Sequence, residues 1–219
     1  MQYSLFNTNS SSFNGPIPSL PPNLYLVTLT TTFKAADPYY ISTLKPDITV
    51  SLAHTAFTLR HQQQLIDYQA AGFILSDLHA ADIGVCFLFL VVEAKGLSVN
   101  GSLVSAQNQS AICSASMLQI LKDLNSQTPA LDPGPLSSTT PALCFSVVTE
   151  GPVYKLWVHF HHNSTVYMVL LWLWRTTHTR SANKLVLFLV RIMDWGRSAF
   201  RDSVVQKLDN IPEQVRSRF

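Results

Sequence analysis

The sequence predicts a single α/β domain. Three observations carry that expectation. A chain of 219 residues suits one domain with a sizeable core. Apolar residues make up 47% and charged residues 13%, against roughly 25% charged in a typical soluble domain. With 12 Phe, 7 Tyr and 4 Trp, that balance excludes global disorder. The third observation is pattern: short β-rich runs are separated by stretches with helical spacing.

Residues 1–22, rich in Ser, Asn and Pro, read as a disordered lead, and 23–210 as the domain with a tail at 211–219. Residues 24–34 (LYLVTLTTTFK) read as a strand or a short irregular segment. In ITVSLA, Ile48, Val50 and Leu52 alternate with Thr49 and Ser51 after Asp47, which predicts a half-buried strand with one polar face. Leu59–Gln69 suits a short helix, and Ser76–Gly84 a loop. Residues 86–95 (CFLFLVVEAK) are continuously apolar up to Glu93 and too short for a lone buried helix, so they read as a strand ended by Gly96. The run SLVSAQNQSAICSASMLQILKDL has helical spacing, with Leu103, Met117, Ile120, Leu121 and Leu124 on one stripe. Its small residues Ala106, Ala111, Ser114 and Ala115 allow close approach to a sheet. A Pro/Ser/Thr loop follows at 126–142. Cys144–Val148, Tyr154–Phe160 and Thr165–Trp174 then read as a strand meander, turned at Gly151-Pro152 and His162-Asn163. Residues 181–208 complete the chain as one helix with Leu185, Leu187, Leu189, Ile192 and Trp195 among its apolar positions.

Composition also excludes function classes. A formal charge of +2 rules out a globally basic nucleic-acid protein and leaves local Lys/Arg clusters for any such contact. Cys86, Cys113 and Cys144 are far apart and set in apolar runs, so buried reduced thiols are expected rather than a zinc site. The opening residues lack a basic, apolar leader, and no apolar run approaches the ~18–20 residues of a membrane span. The expectation is an intracellular protein without a membrane partner, with nucleus and cytoplasm undistinguished and oligomeric state open. No GxSxG elbow or Gly-rich phosphate loop is present.

Carboxylates are scarce: ten Asp and three Glu, the latter Glu93, Glu150 and Glu213. Glu93-Ala94-Lys95 closes the most apolar strand. Residues i and i+2 share a strand face, about 6.5–7 Å apart, so Glu93 and Lys95 point together. A carboxylate beside an ammonium at a strand end suits metal-assisted hydrolysis. The acid holds a hard cation, the cation polarises a phosphoryl oxygen and acidifies a water, and the lysine orients that water or steadies developing charge. Asp47, after Pro46 at the start of the alternating strand, is the second acid, provided the two strands pair antiparallel. The competing reading is an exposed Glu–Lys pair with no chemical role.

These residues carry a resemblance. Pro46-Asp47 … Glu93-Ala94-Lys95 resembles the PD-(D/E)XK motif of restriction-endonuclease-like nucleases, and the phrases KPDITVSLAH, DIGVCFLFLVVEAKG, SLVSAQNQSAICSASMLQILKDL, LCFSVVTEGPVYKLWVHF and WRTT are similar to a fungal family of PD-(D/E)XK nuclease-like domains. The resemblance covers about residues 45–205. It implies a restriction-endonuclease-like core, a central mixed sheet flanked by helices, with the N-terminal part truncated or replaced. It implies Mg²⁺-dependent hydrolysis of DNA or RNA, with Mn²⁺ as an alternative ion. Asp47, Glu93 and the Ala94 carbonyl would hold the metal, Lys95 would position the water, and Gln107 would add a polar contact, with Gln109 as its rival. The family's earlier acid has only Asp37 as a counterpart, and Asp77 and Asp82 rival Asp47. A catalytically inactive binding module of the same fold is the alternative.

Elsewhere, His159, His161 and His162 read as a solvated strand end. Trp157, Trp172 and Trp174 read as core or edge residues before base-stacking ones. Arg175, Arg180, Lys184, Arg191, Arg197 and Arg201 make the last third basic, as a solvated helix face or as phosphate contacts.

Overall fold

The computed structural model describes residues 24–27, 46–72, 85–96, 102–127, 142–162 and 165–211. Residues 1–23, Asp37, Asp77, Asp82, the loop at 126–142 beyond its ends and residues 212–219 lie outside the described ones. Six strands form one sheet in sequential order: β1 (Leu24–Val27), β2 (Ile48–Ala53), β3 (Val85–Lys95), β4 (Leu143–Glu150), β5 (Val153–His162) and β6 (Thr165–Arg175). Neighbours are antiparallel except β3 and β4. A parallel pair needs a crossover, and helix α2 (Leu103–Gln127) supplies it. The fold is therefore α/β with a mixed open sheet and helices on its faces.

The interval from Asp47 to Glu93 holds a 3₁₀ turn and helix α1 (Leu59–Ala70), whose N-cap Thr58 accepts from the His61 N–H. Helix α2 lays Ala106, Ser110, Cys113 and Met117 against the sheet. With Leu88, Val91 and Cys144, its Cys113, Met117 and Leu118 form the smaller of two cores. The larger core joins Phe145, Val147, Leu156 and Trp174 to helix α3 (Thr179–Trp195) and helix α4 (Arg201–Asp209) on the opposite face.

One sequence expectation changes and another gains a detail. The β2 strand alternates as expected, but its polar face is not solvated: Thr49 and Ser51 are buried like their apolar neighbours, because β2 is an inner strand covered on both sides. The C-terminal helix runs from Thr179 to Asp209 as one helix, and within it a π-helical turn, Gly196–Phe200, joins α3 to α4 with helical backbone on both sides. This turn faces β3. Register irregularities opposite Ser51 and a left-handed Phe87, φ +48°, carry Phe87 and Phe89 out of strict alternation and into the larger core with Leu90. The Phe89 ring then lies against Gly196, where a Cβ would clash with the ring's outer edge, and edge-on to Trp195 at 6.1 Å between centroids. The π segment carries the glycine that admits this ring.

Candidate functional site

Directly opposed residues on neighbouring strands share a sheet face. Ile48 opposes Val92, so Asp47, one residue earlier, opposes Glu93. Glu93 in turn opposes Val148 on β4, and Lys95 opposes Glu150. Continuing across, Val148 opposes Lys155 and Glu150 opposes Val153. Lys155 opposes Leu173, and Val153 opposes Arg175. The start of β2, the ends of β3, β4 and β6 and the start of β5 thus meet at one end of the sheet, on the α2 face. Two rows of side chains cross it there. One runs Glu93, Val148, Lys155, Leu173; the other runs Lys95, Glu150, Val153, Arg175.

Asp47 and the Glu93–Lys95 strand are physically joined. Asp47 Oδ2 accepts a 2.6 Å hydrogen bond from the Ala94 N–H. Asp47 is exposed and Lys95 half-buried, while Glu93 is 1% exposed. The Glu93 Oε1 atom is enclosed and has no hydrogen-bond partner. Burial pushes the Glu93 carboxyl up to about 7, the negative charge of Asp47 adds to the rise, and the Lys95 ammonium opposes it. The three side chains thus sense one another electrostatically, as their shared face requires. Beneath them, burial and then the Glu93 carboxylate push the Cys113 thiol up to about 12, so Cys113 is an inert neighbour.

The chain belongs to the family described as Domain of unknown function (DUF7924). The family match spans residues 26–208, so every residue of the site lies inside the DUF7924 region. No curated protein and no solved structure matches the chain.

Within this DUF7924 domain the expected residues are brought together unequally. Asp47, Glu93 and Lys95 meet. Ala94 follows Glu93 with its N–H committed to Asp47. Gln107 does not join them by any hydrogen bond or ion pair: it is half-buried in α2, and its backbone carbonyl accepts from the Ser110 hydroxyl. The Gln109 Oε1 is enclosed without a partner. Among the described residues no three His, Cys, Asp or Glu side chains gather as a metal set. The acid pair Asp47 and Glu93 is what remains, and two protein oxygens match the needs of Mg²⁺, which keeps several waters.

The expectation of a solvated histidine cluster fails at His159. It is fully buried under α2, where the Ser146 hydroxyl lies 2.8 Å from its Nε2 and 3.2 Å from the Ser110 hydroxyl. Burial lowers its pKa to about 4. His161 stays half-buried and His162 exposed. The three cysteines are buried and free, as expected. Trp174 is core, Trp157 half-buried and Trp172 exposed. No described helix is long and apolar enough to cross a membrane. Sequence reading missed Glu150 and Lys155 as neighbours of the site. Neither is marked by a motif, and only the parallel register of β3 with β4 and the tight β4–β5 turn place them there.

Proposed function

We propose that this chain is a Mg²⁺-dependent nuclease with a restriction-endonuclease-like core. The observation that carries the reading is the Glu93 carboxylate: buried, unpartnered at one oxygen, and set beside Asp47. An unpaired buried carboxylate costs several kcal/mol of desolvation, and a second acid alongside adds repulsion. Asp47 and Glu93 would hold a divalent cation whose charge would offset both, so the donor set fits the metal. When bound, Mg²⁺ supplies positive charge to polarise a phosphodiester and raise the acidity of water. The Ala94 carbonyl would add a third oxygen. Lys95, on the face of Glu93, orients the attacking water and stabilises charge that develops on the phosphoryl oxygens. Glu93 stays ionised when opposed by positive charge, which reverses the rise that burial imposes.

The test is cleavage of labelled DNA and RNA with and without Mg²⁺. Wild type should cleave in a Mg²⁺-dependent manner. Lys95→Ala and Glu93→Gln should each lose at least ~10²-fold in rate, the scale for removing one preorganised charge-stabilising group. Equal background in wild type and variants contradicts the proposal. A second reading, a catalytically inactive module of the same fold, is favoured by one observation: Asp47 already spends an oxygen on the Ala94 N–H. That reading expects no cleavage by wild type under any divalent ion.

A further inference from the structure

Helix α2 packs over β3 and β4 and reaches only part of β5. Beyond it the same sheet face continues uncovered among the described residues. Lys155 is half-buried and Arg175 exposed, two and three strands from β3. At about 4.8 Å per strand, Arg175 lies roughly 14 Å from the Lys95 position. Next to these cations, Trp157 opposes Leu170, and the Lys155 ammonium stands 6.0 Å from the Trp157 ring centroid. Leu170 is 43% and Leu173 51% exposed on that face. The result is an apolar floor with an aromatic ring, edged by cations, leading to the carboxylates.

We propose that this strip, from Lys155 and Arg175 over Trp157, Leu170 and Leu173, is the binding track for single-stranded nucleic acid; it rests on the nuclease reading and names its substrate class. Charge complementarity selects a polyanion: a phosphodiester backbone meets Lys155 and Arg175. The apolar floor selects single strands. A duplex keeps its base faces stacked inside and presents phosphates outward, whereas an unpaired strand lays bases on aromatic and apolar side chains. Glu150, half-buried between Lys95 and Arg175 in one row, is the counter-charge on this surface. It repels phosphate from the row's centre, so Lys155 and Arg175 carry the backbone contacts.

The test is fluorescence anisotropy of labelled single-stranded DNA, single-stranded RNA and duplex DNA with the full chain in EDTA, where hydrolysis is silent. Wild type should prefer single strands, and the DNA and RNA arms identify the sugar it takes. Lys155→Gln/Arg175→Gln keeps part of each aliphatic stem and removes two charges. It should weaken single-strand binding about tenfold and flatten the log–log salt dependence by about 1.4, two contacts at ~0.7 each. Glu150→Gln should tighten binding, a gain that a misfolded variant cannot give. Single-strand affinity unchanged in the double variant overturns the track, as does equal preference for duplex. So does a wild-type dimer joined through β6 that binds no oligonucleotide. Failure here is separable from failure of the hydrolytic site. Cleavage that survives in the double variant with full affinity removes the track alone, while charge-dependent single-strand binding without cleavage removes hydrolysis alone.

Discussion

Two buried side chains at the residue scale are held in opposite senses. Glu93 gains proton affinity from burial and from Asp47, whereas His159 loses it to burial alone. His159 gives the clearer pH signature. Its folded pKa of about 4 lies below the ordinary 6.5, so the unfolded chain takes up a proton that the native one refuses. The contribution of His159 to stability is therefore complete above pH 6.5 and declines as pH falls toward 4. Two and a half units correspond to at most about 3 kcal/mol. Glu93, whose carboxyl is pushed up to about 7, works in the opposite direction over the same interval, so urea unfolding at pH 7 and pH 5 in a Glu93→Gln background should show the His159 loss. His159→Gln should flatten the dependence in that window, though it lowers stability at pH 7 by breaking the bond to Ser146. Equal stability of the Glu93→Gln chain at both pH values contradicts the buried, neutral histidine. The sequence showed His159, His161 and His162 only as a polar cluster near a turn. Period two correctly placed His159 and His161 on one face, but which helix would cover that face is a long-range fact. The acids and Lys95 were legible for the opposite reason: Glu-x-Lys at the end of an apolar strand is a local pattern, and Pro-Asp before an alternating strand is another.

Individual elements fare unevenly in the same way. Strands β3 to β6 and helix α2 were legible from continuous or alternating apolar runs, because sheet and helix periods are written locally. The π turn at 196–200 was not. Its glycine faces a Phe ring a hundred residues earlier, displaced from simple alternation by the irregular register of β3 against β2. Gly196→Ala should therefore cost about 1–3 kcal/mol, the scale for overpacking a filled core, read by thermal or urea unfolding. Phe89→Leu should recover part of that loss in the double variant, since contacting residues are non-additive. Additive losses would show that the glycine serves the π segment's backbone instead of the ring. The same irregularity accounts for both large Phe side chains leaving the α2 face. That leaves the smaller core under α2 built from thiols, Met, Leu and Val, beside which the Glu93 Oε1 atom has no hydrogen-bond partner.

For the whole molecule, what matters is which strand ends meet. Sequential strand order with one parallel step brings the start of β2 and the end of β3 together, then sets β4, β5 and β6 beside them. That arrangement turns residues 47, 93, 95, 155 and 175 into a single surface, although nothing in their spacing along the chain joins the last two to the first three. Glu93 lies at the covered side of the face with Asp47 exposed beside it, and Lys155 and Arg175 lie toward its open side. A substrate held on the open half therefore approaches the carboxylates along the sheet, with Lys95 at the junction. The DUF7924 match spans all of this surface, so the site, if it acts as proposed, belongs to the domain as a unit. Its central requirement is that Asp47 and Glu93 share a divalent cation. Calorimetric titration of the full chain with Mn²⁺, wild type beside Glu93→Gln and Asp47→Asn, measures this directly. One Mn²⁺ bound per wild-type chain and lost in both variants is the expected result; no binding by wild type, or binding that both variants retain, contradicts the account.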